Sequence, residues 1–411
     1  IHPQPKQIIY KLTFYDGRSC ECTGEHLFNV YLGQSHKTGK FQSVDDPDYF
    51  TTLSVNDLIK RGVGEVYNSE KRVYIPLVKP EKNEDKPFII HPYILGCLLG
   101  DGTLSRGSIK LTISSRFVLD KIVSLLPPSL TIGLIRNRDD KCYEFNIIRN
   151  KEFNNDRYNI YTEEIKRLNL YGKIALTKFI PTEYLNGSEE QRWELLRGLM
   201  DTDGTIGKPI LKKNISNSNR HTTSGSISYS TSSYRLKDDI VELVRSLGGI
   251  AKVSIKIPYY TYKGEKLRRQ TNYIITMRFK DPIMCVTRPN RLERLNNQHQ
   301  YSRYFKLLLR TIVPLREDKA VCIKLKDPKG LYVTDDYIVT HNTAMSSYIV
   351  SYLKIKPAFI LLPKYIEKWI DDCKLYFKAN REDICVIQGA DTLLKLLSTP
   401  SKDLKYQIYI F

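Results

Sequence analysis

Apolar and polar positions alternate almost from the start of the chain. Ile8, Tyr10, Leu12 and Phe14 share one side of QIIYKLTF, and a DGR turn follows. Period-two patterning predicts a half-buried strand. The runs SCECT, HLFNVYL and RVYIPLV repeat it between Gly and Asp turns, so residues 1–87 are expected to form an all-β unit. The charged, Pro-bounded stretch EKNEDKPFIIHP reads as a linker. From about residue 88 to 314 the pattern changes to helices alternating with strands. Two strand-like runs around a DPKG turn, in AVCIKLKDPKGLYVTDDYIVTHN, then restore the β pattern over 315–342. From 343 to 411 a helical run (TAMSSYIVSYLK), an apolar strand (AFILLP) and an amphipathic helix (KYIEKWIDDCKLYF) predict a further α/β piece. The expected fold class is multidomain: a discontinuous all-β domain, an α/β domain inserted in it, and an α/β fragment behind.

The middle segment contains an internal repeat. SIKLTISSRFVLDKIVSLL and SISYSTSSYRLKDDIVELV align without a gap 118 positions apart, so that Ser115 faces Ser233 and Ile122 faces Ile240. Upstream of each copy lies a Gly-containing apolar helix ending in Asp-Gly, YILGCLLGDGTL and ELLRGLMDTDGTI, and these two lie 102 positions apart. The second copy therefore carries an insertion near KPILKKNISNSNRHTTSG. Duplicated helix and strand units predict a pseudo-twofold domain with the two apolar helices meeting at the axis.

Those helices have chemical consequences. Gly96 and Gly100 in one, and Gly198 and Thr202 in the other, are small residues four apart and so lie on one helical face. Two such faces approach closely, which brings the helix C-termini together, each ending in a carboxylate, Asp101 and Asp203. Two acids beside helix C-termini are unfavourable unless divalent cations bind between them. Mg²⁺ held by such a pair is suited to phosphodiester hydrolysis.

Charge points the same way. The 411 residues hold 64 Lys and Arg against 45 Asp and Glu, a formal net charge of +19. Such an excess favours a polyanion, because phosphate neutralisation releases condensed counterions. The eight cysteines show no CxxC pairing, which argues against a structural zinc site or a disulfide framework. No apolar run approaches the roughly 20 residues of a membrane span, and the start lacks signal-peptide features. An intracellular location, cytoplasmic or nuclear, without membrane partners, is expected.

ILGCLLGDG and LRGLMDTDG, with the flanking HPYILG, FIPTEYL and YSTSSYRLKDDIVELVRSLG, resemble the two motif blocks of the LAGLIDADG homing endonucleases found inside inteins, over roughly 88–314. The resemblance implies double-stranded DNA as partner, a long recognition site, a monomer, and Asp101 and Asp203 as Mg²⁺-binding catalytic acids. Leu99 replaces the earlier acid of the first motif, while Asp201 keeps it in the second, where in the family it is mainly structural. Lys178, before the Ile-Pro pair of LTKFIP, matches the active-site lysine of the first half. For the second half TRPNRLERL offers Arg288 or Arg291. Two outcomes stay open: an active nuclease, or a DNA-binding remnant that no longer cuts.

The flanking β segments resemble the two parts of an intein's Hint-type splicing domain. Thr23-Gly24-Glu25-His26 matches the TxxH block, whose Thr and His polarise the upstream junction and protonate its leaving nitrogen. LYVTDDYIVTHNT resembles the C-terminal blocks. There Asn342 attacks its own carbonyl to form a succinimide, His341 assists, and the Thr343 hydroxyl receives the upstream segment. Cys322 falls where the family places a catalytic Asp or Cys. The first intein block, with its nucleophile, is expected to lie outside this chain, so the chain alone is expected not to complete splicing.

Residues 343–411 resemble a superfamily-two or SNF2-like helicase of RecA-like fold just after its phosphate loop. Thr343 would be the hydroxyl that binds Mg²⁺ and ATP phosphates in the complete host. No NTPase activity is expected of the fragment.

Overall fold

The computed structural model describes residues 2–32, 50–63, 71–104, 109–138, 142–153, 158–207, 226–262, 265–268, 270–296, 305–323, 325, 330–341, 358–360, 381–387 and 408–410. It is a mixed α/β molecule of several units in which antiparallel sheets predominate.

The chain opens with strands β1 (His2–Phe14), β2 (Ser19–Thr23), β3 (Leu27–Leu32) and β4 (Thr51–Ser54). Helix α1 (Val55–Arg61) follows, held at its start by a capping box between Ser54 and Asp57, and then β5 (Val73–Ile75). The linker-like stretch from 76 to 90 forms neither helix nor strand. It is nevertheless tied down: the Lys86 amide donates to the Gln191 side chain at 3.1 Å, and Gln191 donates back to the Lys86 carbonyl at 2.7 Å.

The inserted α/β unit starts at α2 (Pro92–Asp101), with Pro92 in the first turn where its missing N–H costs nothing. Then come β6 (Gly102–Thr103), β7 (Ile109–Ile113), α3 (Arg116–Leu125), β8 (Leu130–Ile132), β9 (Arg136–Arg138), β10 (Cys142–Arg149), α4 (Ile160–Arg167) and α5 (Thr182–Leu185). The second half runs α6 (Glu189–Thr202), β11 (Gly204–Ile206), β12 (Ile227–Thr231), α7 (Tyr234–Ser246), β13 (Ile250–Lys256), β14 (Tyr259–Tyr262), β15 (Glu265–Arg268), β16 (Asn272–Arg278) and α8 (Pro289–Asn296).

The two halves repeat one topology. The first sheet has the order β6-β7-β10-β8, the second β11-β12-β16-β13. β9 adds to β10 in the first half, and the β14–β15 hairpin occupies the same chain interval in the second. Strands β7 and β12 bury alternate residues, as the period-two pattern requires. One continuous apolar core, from Ile90 to Leu295, runs through both halves, with α2 against α6 at its centre.

The chain then re-enters the β unit. Strand β17 (Leu307–Cys322) pairs with β5 at its start and antiparallel with β1 along its length, from Phe14 opposite Leu309 to His2 opposite Cys322. Bulges interrupt this ladder between Gln4 and Lys6, Ile9 and Tyr10, and Thr13 and Phe14. Strands β18 (Leu331–Val333) and β19 (Val339–His341) complete a sheet of order β18-β19-β3-β5-β17-β1-β2, with β4 on β3. Segments on either side of the insert thus share one sheet and one core, Leu12, Phe14, Phe28 and Val30 packing with Leu307, Leu309 and Ile338. The change of texture placed at 314 falls inside β17, since the strand already begins at Leu307.

Beyond residue 341 the described residues are three short strands, β20 (Ala358–Ile360), β21 (Ile384–Val386) and β22 (Ile408–Ile410), in a parallel sheet of order β20-β22-β21. β20 falls in AFILLP and β22 in KYQIYIF. The helices expected from TAMSSYIVSYLK and KYIEKWIDDCKLYF lie outside the described residues.

Candidate active site

Close helix packing builds the first site. A side chain at Gly96 would collide with the Leu195 carbonyl, and one at Gly198 with the Tyr93 carbonyl, so the α2 and α6 backbones touch where the two glycines face each other. Further along, Gly100 lies against the Thr202 hydroxyl, which is itself satisfied by the Gly198 and Leu199 carbonyls at 3.0 and 2.9 Å. The next residues are Asp101, the last of α2, and Asp203, the cap of α6.

Their carboxyl groups lie close enough for each to act on the other's ionisation. Burial first, then the neighbouring Asp203 carboxylate, push Asp101 up to about 6. Burial likewise raises Asp203, against the pull of Lys178 and Arg291. The pair shares a proton more readily than it holds two negative charges.

Cations close the helix ends. The Lys178 Nζ lies 2.7–3.0 Å from the carbonyl oxygens of Leu98, Leu99, Gly100 and Gly102, so its three hydrogens are shared among four acceptors at the α2 C-terminus. Burial brings its ammonium down to about 8, with Asp203 and Asp101 opposing that shift. In the second half Arg288 donates to the Asp201 carbonyl at 3.1 Å, Arg291 to the Thr202 carbonyl at 3.4 Å, and Arg294 to the Ile206 carbonyl at 3.3 Å. Of the two arginines considered, Arg291 is the one whose charge reaches both Asp101 and Asp203. Burial, then the neighbouring Arg288, lower its guanidinium to about 10.

Asp201 is spent on structure. It is buried and accepts from the Tyr93 hydroxyl at 3.0 Å, from the Thr287 amide at 3.1 Å and from the Thr287 hydroxyl. Its counterpart Leu99 has a buried apolar side chain. A cleft of about 530 Å³ opens beside the acids, lined by Gly100, Lys178, Asp203, Tyr229, Thr231 and Asn272 among others.

Three residues that hold the Lys178–Ile180 segment were not singled out for that role in the sequence. Ser233, fully buried, donates to the Lys178 carbonyl at 2.7 Å while accepting from the Leu236 amide as the α7 cap. Asp239 accepts from the Ile180 amide at 2.7 Å, and Arg235 stacks over Phe179. The second repeat's helix thus sets the first repeat's lysine. The repeat alignment marked Ser233 as recurring, but not its partner.

The second site lies in the β unit. His26, at the entry to β3, places Nε2 2.5 Å from the Thr340 hydroxyl, which also contacts the Leu27 carbonyl at 3.1 Å. His341 pairs with Leu27 across β19 and β3. Burial first, and the nearby His341 second, lower His26 to about 4, so its imidazole is neutral at pH 7. Thr23 ends β2, and its carbonyl accepts the His26 amide at 3.2 Å. Cys322 ends β17 opposite His2; its side chain, like Asn342 and Thr343 as a whole, lies outside the described residues. Residues more than three hundred positions apart are thereby set side by side, and Thr340 had no marker in the sequence.

The chain matches no protein-family model. It is similar to the replicative DNA helicase DnaB of Mycobacterium intracellulare, 26% identical over 262 residues, which is 64% of this chain and 36% of that protein. It is also similar to the replicative DNA helicase DnaB of Synechocystis sp., 28% identical over 164 residues, 39% of this chain and 18% of that one. The chain thus spans little more than a third, or less, of these relatives. Their names specify a replicative helicase rather than an SNF2-like one. Among solved structures, the meganuclease I-SmaMI bound to uncleaveable DNA is similar at 11% identity with a TM-score of 0.23, over 48% of this chain and 79% of that one, too loose a superposition to bear on function. No described helix is long and apolar enough to cross a membrane.

Proposed function

We propose that the chain is a self-processing intein carrying a LAGLIDADG-type endonuclease, inserted in a helicase, with the inserted unit acting on double-stranded DNA. One observation carries this reading: two duplicated helices, packed backbone to backbone at Gly96 and Gly198, end with Asp101 and Asp203 close enough for each charge to act on the other and for Lys178 and Arg291 to act on both. A close pair of acids whose charges repel fits a divalent cation, and Mg²⁺ would be held by these two carboxylates with DNA phosphate oxygens. When bound, the ion supplies charge to the attacking water and the leaving oxygen. Lys178 and Arg291 meanwhile hold the helix ends in place. Residues 343 to 411 are too few to carry the 262-residue similarity to a helicase, so that similarity extends into the segments before residue 343, as an insertion shared with a helicase relative would produce.

The junction chemistry belongs to the same proposal. The Asn342 side-chain nitrogen attacks its own carbonyl carbon, the bond to Thr343 breaks, and His341 protonates the departing amine. Thr343 supplies the accepting hydroxyl, Thr23 and His26 act at the upstream junction, and Cys322 assists. The host is a helicase whose complete form binds ATP and Mg²⁺ partly through Thr343; an SNF2-like subclass rests only on AFILLPKYIEKWIDDC. The protein is intracellular and acts as a monomer.

A second reading, a DNA-binding remnant that does not cut, is favoured by one observation. Among the described residues no third His, Cys, Asp or Glu joins the acidic pair. Supercoiled DNA bearing the uninterrupted host gene, incubated with the protein and Mg²⁺, separates the two. Linearisation that falls at least about a hundredfold in Asp101→Asn and Asp203→Asn supports the nuclease, the loss expected when groups acting on the transition state are removed. Binding without cleavage by the parent chain supports the remnant.

A further inference from the structure

The corner between α7 and β13 belongs to the inserted unit, yet it is built into the β unit. Arg18, between β1 and β2, is 0% exposed. Its Nε donates to Asp16 at 2.9 Å, Nη1 to the Tyr337 carbonyl at 3.0 Å, and Nη2 to the Gly249 carbonyl at 2.7 Å. One guanidinium thus joins the first β segment, the last β segment and the insert. Arg245, near the end of α7, donates to Asp336 Oδ1 at 2.8 Å, while the other oxygen of that carboxylate accepts the Ser19 amide at 3.3 Å. On the same corner the Glu81 amide donates to the Ser246 carbonyl at 3.2 Å, and Gly248 leaves no room for a side chain beside the Val78 carbonyl.

What these contacts grip is the turn between β18 and β19. Asp336 and Tyr337 form it, closed by the Tyr337 amide on the Thr334 carbonyl at 2.9 Å and the Thr334 amide on the Ile338 carbonyl at 3.0 Å. Tyr337 has φ +56°, a left-handed conformation that costs a bulky residue about 1 kcal/mol or more and persists only where surroundings impose it. The partners of Arg18 and Asp336 supply that imposition. β19 leaves this turn and ends at His341, the residue set beside His26.

From this geometry we infer that Arg18, Arg245 and Asp336 are positioning residues for the C-terminal junction: through its α7–β13 corner, the inserted unit fixes the turn that aligns His341. The inference rests on the junction reading proposed above. Its consequence is that the insert is no passive passenger, because loosening its corner slows the break after Asn342.

The full chain is compared with Arg245→Met, Asp336→Asn, their double variant and Arg245→Lys. Mass spectrometry follows release of residues 343–411, and amide exchange follows 331–341, with α2 and α6 as internal reference. Each disruptive single variant is expected to slow release and quicken exchange across 331–341 by about tenfold, the scale of a lost charge-assisted hydrogen bond. The double variant is expected to be no worse than the worse single, since both remove one interaction, and Arg245→Lys to restore most of the rate. Asp336→Asn, isosteric at a side chain 42% exposed, carries the comparison if Arg245→Met loses protection throughout. Unchanged exchange across 331–341, or unchanged release once that turn has loosened, overturns the inference. A parent chain that releases nothing sinks the junction reading instead, and exchange alone then decides whether the corner holds the turn.

Discussion

Two acids pressed together at the end of paired helices are stabilised as neutral or metal-bound groups, not as free anions. Neutralising one should therefore stabilise the metal-free protein while removing cleavage. For Asp101→Asn we expect a gain of about 1 kcal/mol, allowing for solvent screening, read as a melting temperature a few degrees higher in chelator. A lower melting temperature there would contradict the charge argument. His26 gives the opposite sign with pH. Its folded value, about 4, lies below the ordinary 6.5, so between these values the unfolded chain binds the proton first. Stability of the β unit is then full above about pH 6.5 and declines as pH falls toward 4. A urea titration at pH 7 and pH 4.5 should show a loss on the order of 2 kcal/mol, much reduced in His26→Gln.

At the scale of elements, α2 and α6 meet through backbone. Gly96→Ala or Gly198→Ala forces carbonyl groups of the facing helix aside, and each is expected to cost about 3 kcal/mol by denaturant unfolding. An unchanged midpoint would mean that the helices can part without penalty. The small-residue spacing was visible along the chain, because positions four apart share a helical face wherever the helix goes. The strap at 81–86 was not: its charges and flanking prolines describe a linker, and it is Gln191 and the buried Arg192, which donates to the Glu81 carbonyl, that show it fixed against α6. α7 illustrates the same limit. Ser233 reads as an N-cap, and Ser233→Ala should cost about 1 kcal/mol for that role alone. The cross-repeat bond to the Lys178 carbonyl adds to it, so a measured loss near 2 kcal/mol is expected.

For the whole molecule, the basic excess and the nuclease reading together predict binding to DNA that weakens steeply with salt. The logarithm of the affinity for non-specific duplex should fall against the logarithm of salt concentration with a slope of about −4 or steeper. A nearly flat dependence in a filter-binding or fluorescence titration would show that the positive charge serves some other purpose. The same scale decides how the β unit closes. β17 carries a β1-pairing edge and a β5-pairing edge, so the two flanking segments complete each other, and neither has the other's strands when separated.

The period of each segment, the repeat 118 positions apart and the two acids at matched helix ends are all legible along the chain, because periodicity, capping and glycine spacing are properties of neighbouring residues. The sequence left Arg288 and Arg291 undecided, and it was silent on Thr340, Asp239 and Arg18. Those roles arise from contacts between residues tens to hundreds of positions apart, and no local pattern encodes a carbonyl waiting on another segment. Tertiary structure brought the Arg291 charge within reach of both carboxyls, placed His341 beside His26, and seated Arg18 among three segments. The physical reason is that burial makes an unpaired charge or amide costly, so which partner each group finds is settled only when the segments close on one another.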